Sequence, residues 1–166
     1  SITDGQIYLS PELFNQGFKP AIDVGLSVSR VGGAAQTNLM RKVSGQLKLN
    51  LAQYEEVAHF ARFGTEIDRT TQRQIARGER LREVLKQEAY APLPQARQVL
   101  ILFAADRGYL DELPVEHVSR FEAELWTYAQ REYRGVIRRI EEQQDLDEEL
   151  EADMDALIHA FSERFL

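Results

Sequence analysis

From Leu39 onward the apolar positions recur every three or four residues and keep that spacing almost to the end of the chain. Leu39, Val43, Leu47, Leu51, Tyr54, Ala58 and Ala61 lay one stripe along a long first helix, the pattern of a helix that turns one face to a core. Gly45 falls inside it at a modest helical cost, and Gly64 marks its end. A second helix is predicted from Thr65 to about Gln87. Thr65 is its cap, Asp68 sits near its positive end, and Ile67, Ile75, Leu81 and Leu85 are its apolar positions. Gly78 reads as a weak point within it. After Pro92 and Pro94, the run Val99 to Ala105 is apolar on every face, which predicts a fully buried helix ended by Gly108. Pro114 opens a fourth helix with Val118, Phe121, Leu125, Tyr128, Val136 and Ile140 inward. Asp145 and Glu148 read as the capping pair of a fifth, whose stripe is Leu146, Leu150, Met154, Leu157, Ile158, Phe161 and Phe165. Helices of this length joined by short turns make a bundle. The acidic run from Glu141 to Asp155 reads as a solvated face.

The first 33 residues follow another rule. Ile7, Tyr8 and Leu9 form a short apolar run; Ser10-Pro11-Glu12 is a helix start and Gly17 a helix stop. Beyond Pro20, Val24, Leu26 and Val28 alternate with Gly25, Ser27 and Ser29, the period of a strand, which ends at Arg30-Val31-Gly32-Gly33. The sequence enters this pattern part-way, so it reads as a portion of a longer parent.

Composition narrows the chemistry. Twenty Lys and Arg against 27 Asp and Glu give a net charge of −7, the wrong sign for a free-standing nucleic-acid binder. With no Cys there is no disulfide framework, thiolate metal site or Cys nucleophile. His59, His117 and His159 are too far apart for ligand spacing, so no metal site is expected. No apolar run approaches the roughly 18 residues of a membrane span. A P-loop, Gly-x-Ser-x-Gly and His-Glu-x-x-His are all absent. One local candidate remains. Ser27-Val28-Ser29-Arg30-Val31-Gly32-Gly33 delivers a single Arg from a strand end into a Gly-rich loop, where its fork of donors can meet phosphate oxygens. The alternative is an Arg that merely ends a strand or bridges a surface carboxylate.

Ser1-Ile2-Thr3-Asp4-Gly5-Gln6-Ile7 and Pro20-Ala21-Ile22-Asp23-Val24-Gly25-Leu26-Ser27-Val28-Ser29-Arg30-Val31-Gly32-Gly33-Ala34-Ala35-Gln36 resemble the α subunits of F-type ATP synthases. Leu51-Ala52-Gln53-Tyr54-Glu55, Leu85-Lys86-Gln87 and Leu102-Phe103-Ala104-Ala105-Asp106-Arg107-Gly108-Tyr109-Leu110 continue the resemblance in order, closely over residues 1–125 and loosely beyond. It implies a mainly α fold: residues 1–36 as the last strands and loops of a RecA-like α/β nucleotide-binding domain, whose P-loop is not in this sequence, and residues 37–166 as a C-terminal helical bundle. Strands so separated from their sheet are expected to form a mobile arm or to pair with another strand edge.

The resemblance also implies site residues. Arg30 matches the arginine finger that α offers in trans to the catalytic site of the neighbouring β subunit; Ser27 and Ser29 support its loop, and Ser1 and Gly5 lie near the same interface phosphate site. Phe14 and Pro20 match positions around the base of a non-catalytic nucleotide, and Gln87 matches an adenine-contacting Gln. Lys19 stands where the family often has Arg, and Ala89 where many members have a second Gln. ATP or ADP with Mg²⁺ is implied for the full-length parent, with none held tightly by this stretch, and no hydrolysis by this stretch alone. The implied partners are β subunits in an alternating α3β3 ring, the γ central shaft, which the elbow from Asp106 to Leu113 would meet, and the δ subunit of the peripheral stalk. Nucleic acid is not among them, and the membrane is reached only through the Fo sector, at the cytoplasmic face of a bacterial membrane or its organellar equivalent. The competing readings are a free-standing helical interaction module and a piece of a related hexameric export ATPase.

Overall fold

The computed structural model describes residues 3–61 and 67–165. The expected helix end at Gly64 and cap at Thr65 lie outside them. The polypeptide opens with strand β1 (Gly5–Leu9), a short helix α1 (Pro11–Asn15) and strand β2 (Ile22–Ser29). Ser10 caps α1 with its hydroxyl, Pro11 sits at its start, and Gly17 follows it at φ +81°. The two strands pair antiparallel with each other, and Ala21 is buried beneath their base.

Their register is broken. Gln6 faces Val28, but Tyr8 faces Asp23, so β2 bulges outward between those pairs. The bulge undoes the expected alternation: Val24 packs against the core, whereas Leu26 and Val28 are exposed. A two-stranded ribbon has no second layer to receive them.

Helix α2 (Arg30–Ala35) follows where the sequence predicts a loop, because the Ser29 hydroxyl accepts the Gly32 N–H and caps a helical turn. The long first helix is really two, α3 (Asn38–Ser44) and α4 (Leu47–Ala61), separated at Gly45. The bundle continues with α5 (Arg69–Val84), α6 (Gln95–Asp106), a 3₁₀ turn (Val115–His117), α7 (Val118–Glu132), α8 (Arg134–Gln143) and α9 (Glu148–Phe165). The N-cap of α5 is Asp68, whose carboxylate accepts the Thr71 N–H. The expected fourth helix breaks at Tyr133, which leaves helical geometry between α7 and α8.

The all-apolar run is buried as predicted except at Leu102, which is half-buried. Helix α6 touches α3, α5, α7, α8 and α9, and buries Val99, Leu100, Ile101, Phe103, Ala104 and Ala105. Around it close Leu39 and Val43 from α3, Leu81 from α5, Phe121 and Leu125 from α7, Ile140 from α8, and Leu150, Met154, Leu157 and Ile158 from α9. Phe121 meets Phe161 and Phe165 edge-on with ring centres 5.0 and 5.1 Å away, the favoured aromatic geometry.

Gly78 is a contact point within an unbroken α5. A Cβ there would lie 2.2 Å from Cγ of Tyr54, so glycine is what lets α4 and α5 approach. The acidic run is only partly a solvated face. Lys42 pairs with Asp145 at 2.9 Å, Arg107 with Glu151, and Arg139 with Asp153 at 2.6 Å and Glu149 at 3.4 Å. The cap of α9 is Asp147, which accepts the Leu150 N–H at 2.8 Å; Asp145 is occupied by Lys42 and by the N–H of Leu146. Those bonds hold the Asp145 and Asp147 carboxyls below the usual range, led by the Lys42 contact for Asp145 and the Leu150 N–H for Asp147.

Candidate functional site

Arg30 is the first residue after β2, at the open end of the ribbon. Gly5 faces Ser29 there, and a Cβ at Gly5 would fall 2.1 Å from the Val28 carbonyl oxygen, so only glycine lets the strands close. The Arg30 N–H donates to the Asp4 carbonyl at 3.3 Å, and Nη2 donates to Asp4 Oδ1 at 3.1 Å. The Arg30 side chain is 73% exposed. It borders a cleft of about 330 Å³ walled by Asp4, Gly5, Gln6, Tyr8 and Val28.

The pair with Asp4 is the surface bridge expected if Arg30 merely ends a strand. It does not lock the side chain. An exposed ion pair of this kind is worth about 0–1 kcal/mol, and a guanidinium has five N–H donors, most of them without a partner among the described residues. An anion entering the cleft competes with a weak bond.

Ser27 and Ser29 both bond the backbone. The Ser27 hydroxyl accepts the Tyr8 N–H at 3.0 Å and donates to the Asp23 carbonyl, so it replaces a ladder bond lost at the bulge. Ser29 is the cap of α2. Ser1 lies outside the described residues. Asp4, which pairs with Arg30, is the member of this cluster that sequence reasoning missed. An Asp before a Gly signals a turn, and nothing in that signal names its long-range partner.

Phe14, Pro20 and Gln87 are drawn together at the other end of the ribbon. The Gln87 N–H donates to the Lys19 carbonyl at 3.0 Å, beside Pro20, and the Lys19 ammonium lies 4.9 Å from the centre of the Phe14 ring. The Gln87 carboxamide donates to the Ala91 carbonyl at 2.9 Å. Phe14 is 56% exposed, so it presents apolar surface at this end of the ribbon. Arg82, unremarked in the sequence, pins this end to the bundle. It stacks on Phe18 at 4.1 Å and reaches the Tyr54 hydroxyl at 3.4 Å and Gln16 Oε1 at 3.3 Å. Close by, burial first and Asp23 second push the Glu55 carboxyl up, against a smaller opposing pull from Arg82.

The elbow after α6 is tightly tied. Gly108 turns at φ +84°, Arg77 holds the Asp111 carboxylate with two bonds of 3.2 and 2.8 Å, and the Tyr109 hydroxyl donates to Asp155 Oδ1 at 2.9 Å. Burial, then the Asp155 carboxylate, push the Tyr109 phenol up to about 12. A phenol raised in the folded state gives stability that is complete below its unfolded value near 10 and is lost as pH climbs through about 12. We expect a loss of up to about 2 kcal/mol across that window, read from urea midpoints at each pH. Tyr109→Phe should be less stable at neutral pH by about 1 kcal/mol, yet lose less between pH 10 and 12. Parallel curves for the two proteins would refute this.

Among the described residues, no group of three His, Asp or Glu side chains is placed to hold a metal ion, and no helix is long and apolar enough to cross a membrane.

A family model described as ATP synthase alpha/beta chain, C terminal domain, matches residues 36–161. The ATP synthase subunit alpha of Aquifex aeolicus (strain VF5) is 51% identical over 166 residues, which is 100% of this chain and 33% of that protein. The sequence therefore spans about a third of the length of the curated relative it matches.

Proposed function

This protein belongs to the family of ATP synthase alpha/beta C-terminal domains, and from that premise we propose that it is part of the non-catalytic α subunit of an F1 ATP synthase. The observation that carries the assignment to α is the reach of the identity. It covers all 166 residues, including the ribbon and Arg30 turn that precede the family-model match at residue 36. In this reading residues 1–36 are the last part of the nucleotide-binding domain and residues 37–166 the helical domain beneath it.

The work of the protein centres on Arg30, offered in trans to the catalytic site of an adjacent β subunit. Negative charge grows on the oxygens of the phosphoryl group in transfer, and a guanidinium aimed there stabilises the transition state. Its exposure, its unused donors and the open cleft beside it fit phosphate oxygens. Ser27 and Ser29 hold the turn through the backbone, and Gly5 keeps the strands close enough to present it. Phe14, Pro20 and Gln87 fit the base of a second, non-catalytic nucleotide: an exposed ring suits the purine face and a carboxamide its edge. Phosphates and Mg²⁺ would be held by the P-loop of the parent.

The complex so formed couples ATP synthesis or hydrolysis to ion flow, with the bundle turned toward the γ shaft and the membrane met through partners alone. A chimera tests the assignment. The 166 residues replace the matching segment of the Aquifex α subunit, expressed with that organism's β and γ. We expect an assembled complex with an ATPase rate comparable to the parent's. Failure to assemble, or a ring made of the chimera alone, would refute the α assignment; the latter outcome belongs to an export-type homohexamer.

A further inference from the structure

Among the described residues nothing apolar holds the Arg30 turn. All six residues of α2 are exposed, and a Cβ added at Gly33 would meet nothing within 4 Å. Yet a trans finger must be placed to a fraction of an ångström for its charge to count. Two cations of the bundle reach the turn from below, one on each side of Arg30. Lys48, in the first turn of α4, donates from Nζ to the Ser27 carbonyl at 3.1 Å. Arg41, in the last turn of α3, donates from Nη2 to the carbonyls of Gly33 and Gln36, each at 3.4 Å. Gly33 and Gln36 stand at the C-terminal end of α2, the negative end of a helix, where a cation is favoured.

We propose that Arg41 and Lys48 are positioning residues for Arg30, clamping the carbonyls on either side of the turn and so fixing the guanidinium to the helical domain. Ser27 is also the residue whose hydroxyl closes the bulge against Tyr8. Lys48 therefore holds the strand at the place where it would otherwise flex. Arg41 and Lys48 belong to helices on either side of Gly45, so a tilt of α4 against α3 would move one anchor relative to the other. The aim of Arg30 then follows the helical domain, and not only the ribbon that carries it. This rests on the reading of Arg30 as a finger.

The test uses the full-length parent assembled with its β and γ partners. Steady-state kcat and KM for MgATP are measured for Arg41→Met/Lys48→Met, alone and combined with Arg30→Ala. We expect kcat to fall about tenfold with KM little changed. In the Arg30→Ala background the same pair should cost nothing more, and Arg41→Lys/Lys48→Arg, which keeps the donors, should restore most of the rate. An unchanged kcat, or an equal fall in both backgrounds, overturns the proposal. If Arg30→Ala itself leaves kcat intact, the finger reading has failed, and the proposal with it. If the double variant does not assemble, hydrogen exchange of the Lys48→Met complex decides. Faster exchange at the Arg30 and Gly32 amides, with Leu100 and Leu125 unchanged, supports the clamp; unaltered exchange at Arg30 and Gly32 overturns it.

Discussion

Replacing Arg30 with alanine in the assembled parent complex should lower steady-state ATPase by at least two decades while nucleotide binding is largely kept. The size follows from where the charge is needed. A finger supplied in trans is worth about 10³–10⁵ in rate in phosphoryl-transfer systems, because it meets charge that exists only in the transition state. Ground-state binding is spread over other contacts and changes little, so kcat and kcat/KM should fall together. Lysine should not rescue, since an ammonium cannot present the planar fork. Among the described residues the guanidinium bonds only to the exposed Asp4, so its loss should leave thermal unfolding nearly unmoved. A full rate in a properly assembled complex would remove Arg30 from the chemistry.

The largest structural effect is expected at Gly78. By helix propensity alone Gly78→Ala would stabilise α5 by about 1 kcal/mol. The packing predicts the opposite sign. A methyl group at that Cβ would sit 2.2–2.3 Å from three atoms of Tyr54, and Tyr54 is itself buried. Relief means pushing α4 away from α5 or driving the ring off its rotamer, at a cost of about 1–3 kcal/mol or more. We expect a net loss of about 1 kcal/mol or more and a fall in Tm of at least about 2–4 °C. Tyr54→Leu should recover part of that loss in the double variant, because the two positions touch and their effects cannot add. A Tm that rises in Gly78→Ala would mean that the helices are free to separate.

These two residues also mark where sequence reasoning ended. The run Val99 to Ala105 announces a central helix because apolarity on every face has one solution, burial on every face. The stripes of α7 and α9 are legible for the same reason. Gly78 misleads because propensity describes an isolated helix, whereas its role depends on a ring 24 positions earlier in the sequence. Asp147 takes the capping role expected of Asp145 because Lys42, remote in sequence, claims the latter. The alternation of Val24, Leu26 and Val28 suggests one buried face, but a ribbon bonded to itself has only the bundle beneath to bury against, and the bulge brings Val24 alone to it. At the site, the residue pattern reaches only as far as an Arg at a strand end; the finger role comes from family resemblance. Asp4, Arg41, Lys48 and Arg82 escape both, since each acts on a partner that folding brings near.

The seam between the two ends of the bundle has a temporal consequence. The Leu39 N–H is bonded to the Gln144 carbonyl, and Lys42 Nζ to the Leu146 carbonyl 104 residues further on. At about 5–20 residues per second, a ribosome takes roughly 5–20 seconds to make the stretch between them. Throughout that interval α3 is complete but its lock does not yet exist. Helix α3 lacks not only that lock but, until Asp106 has been made, also the α6 face it packs against. The interval is a window for chaperone capture, and any slowing of translation between Lys42 and Leu146 would lengthen it.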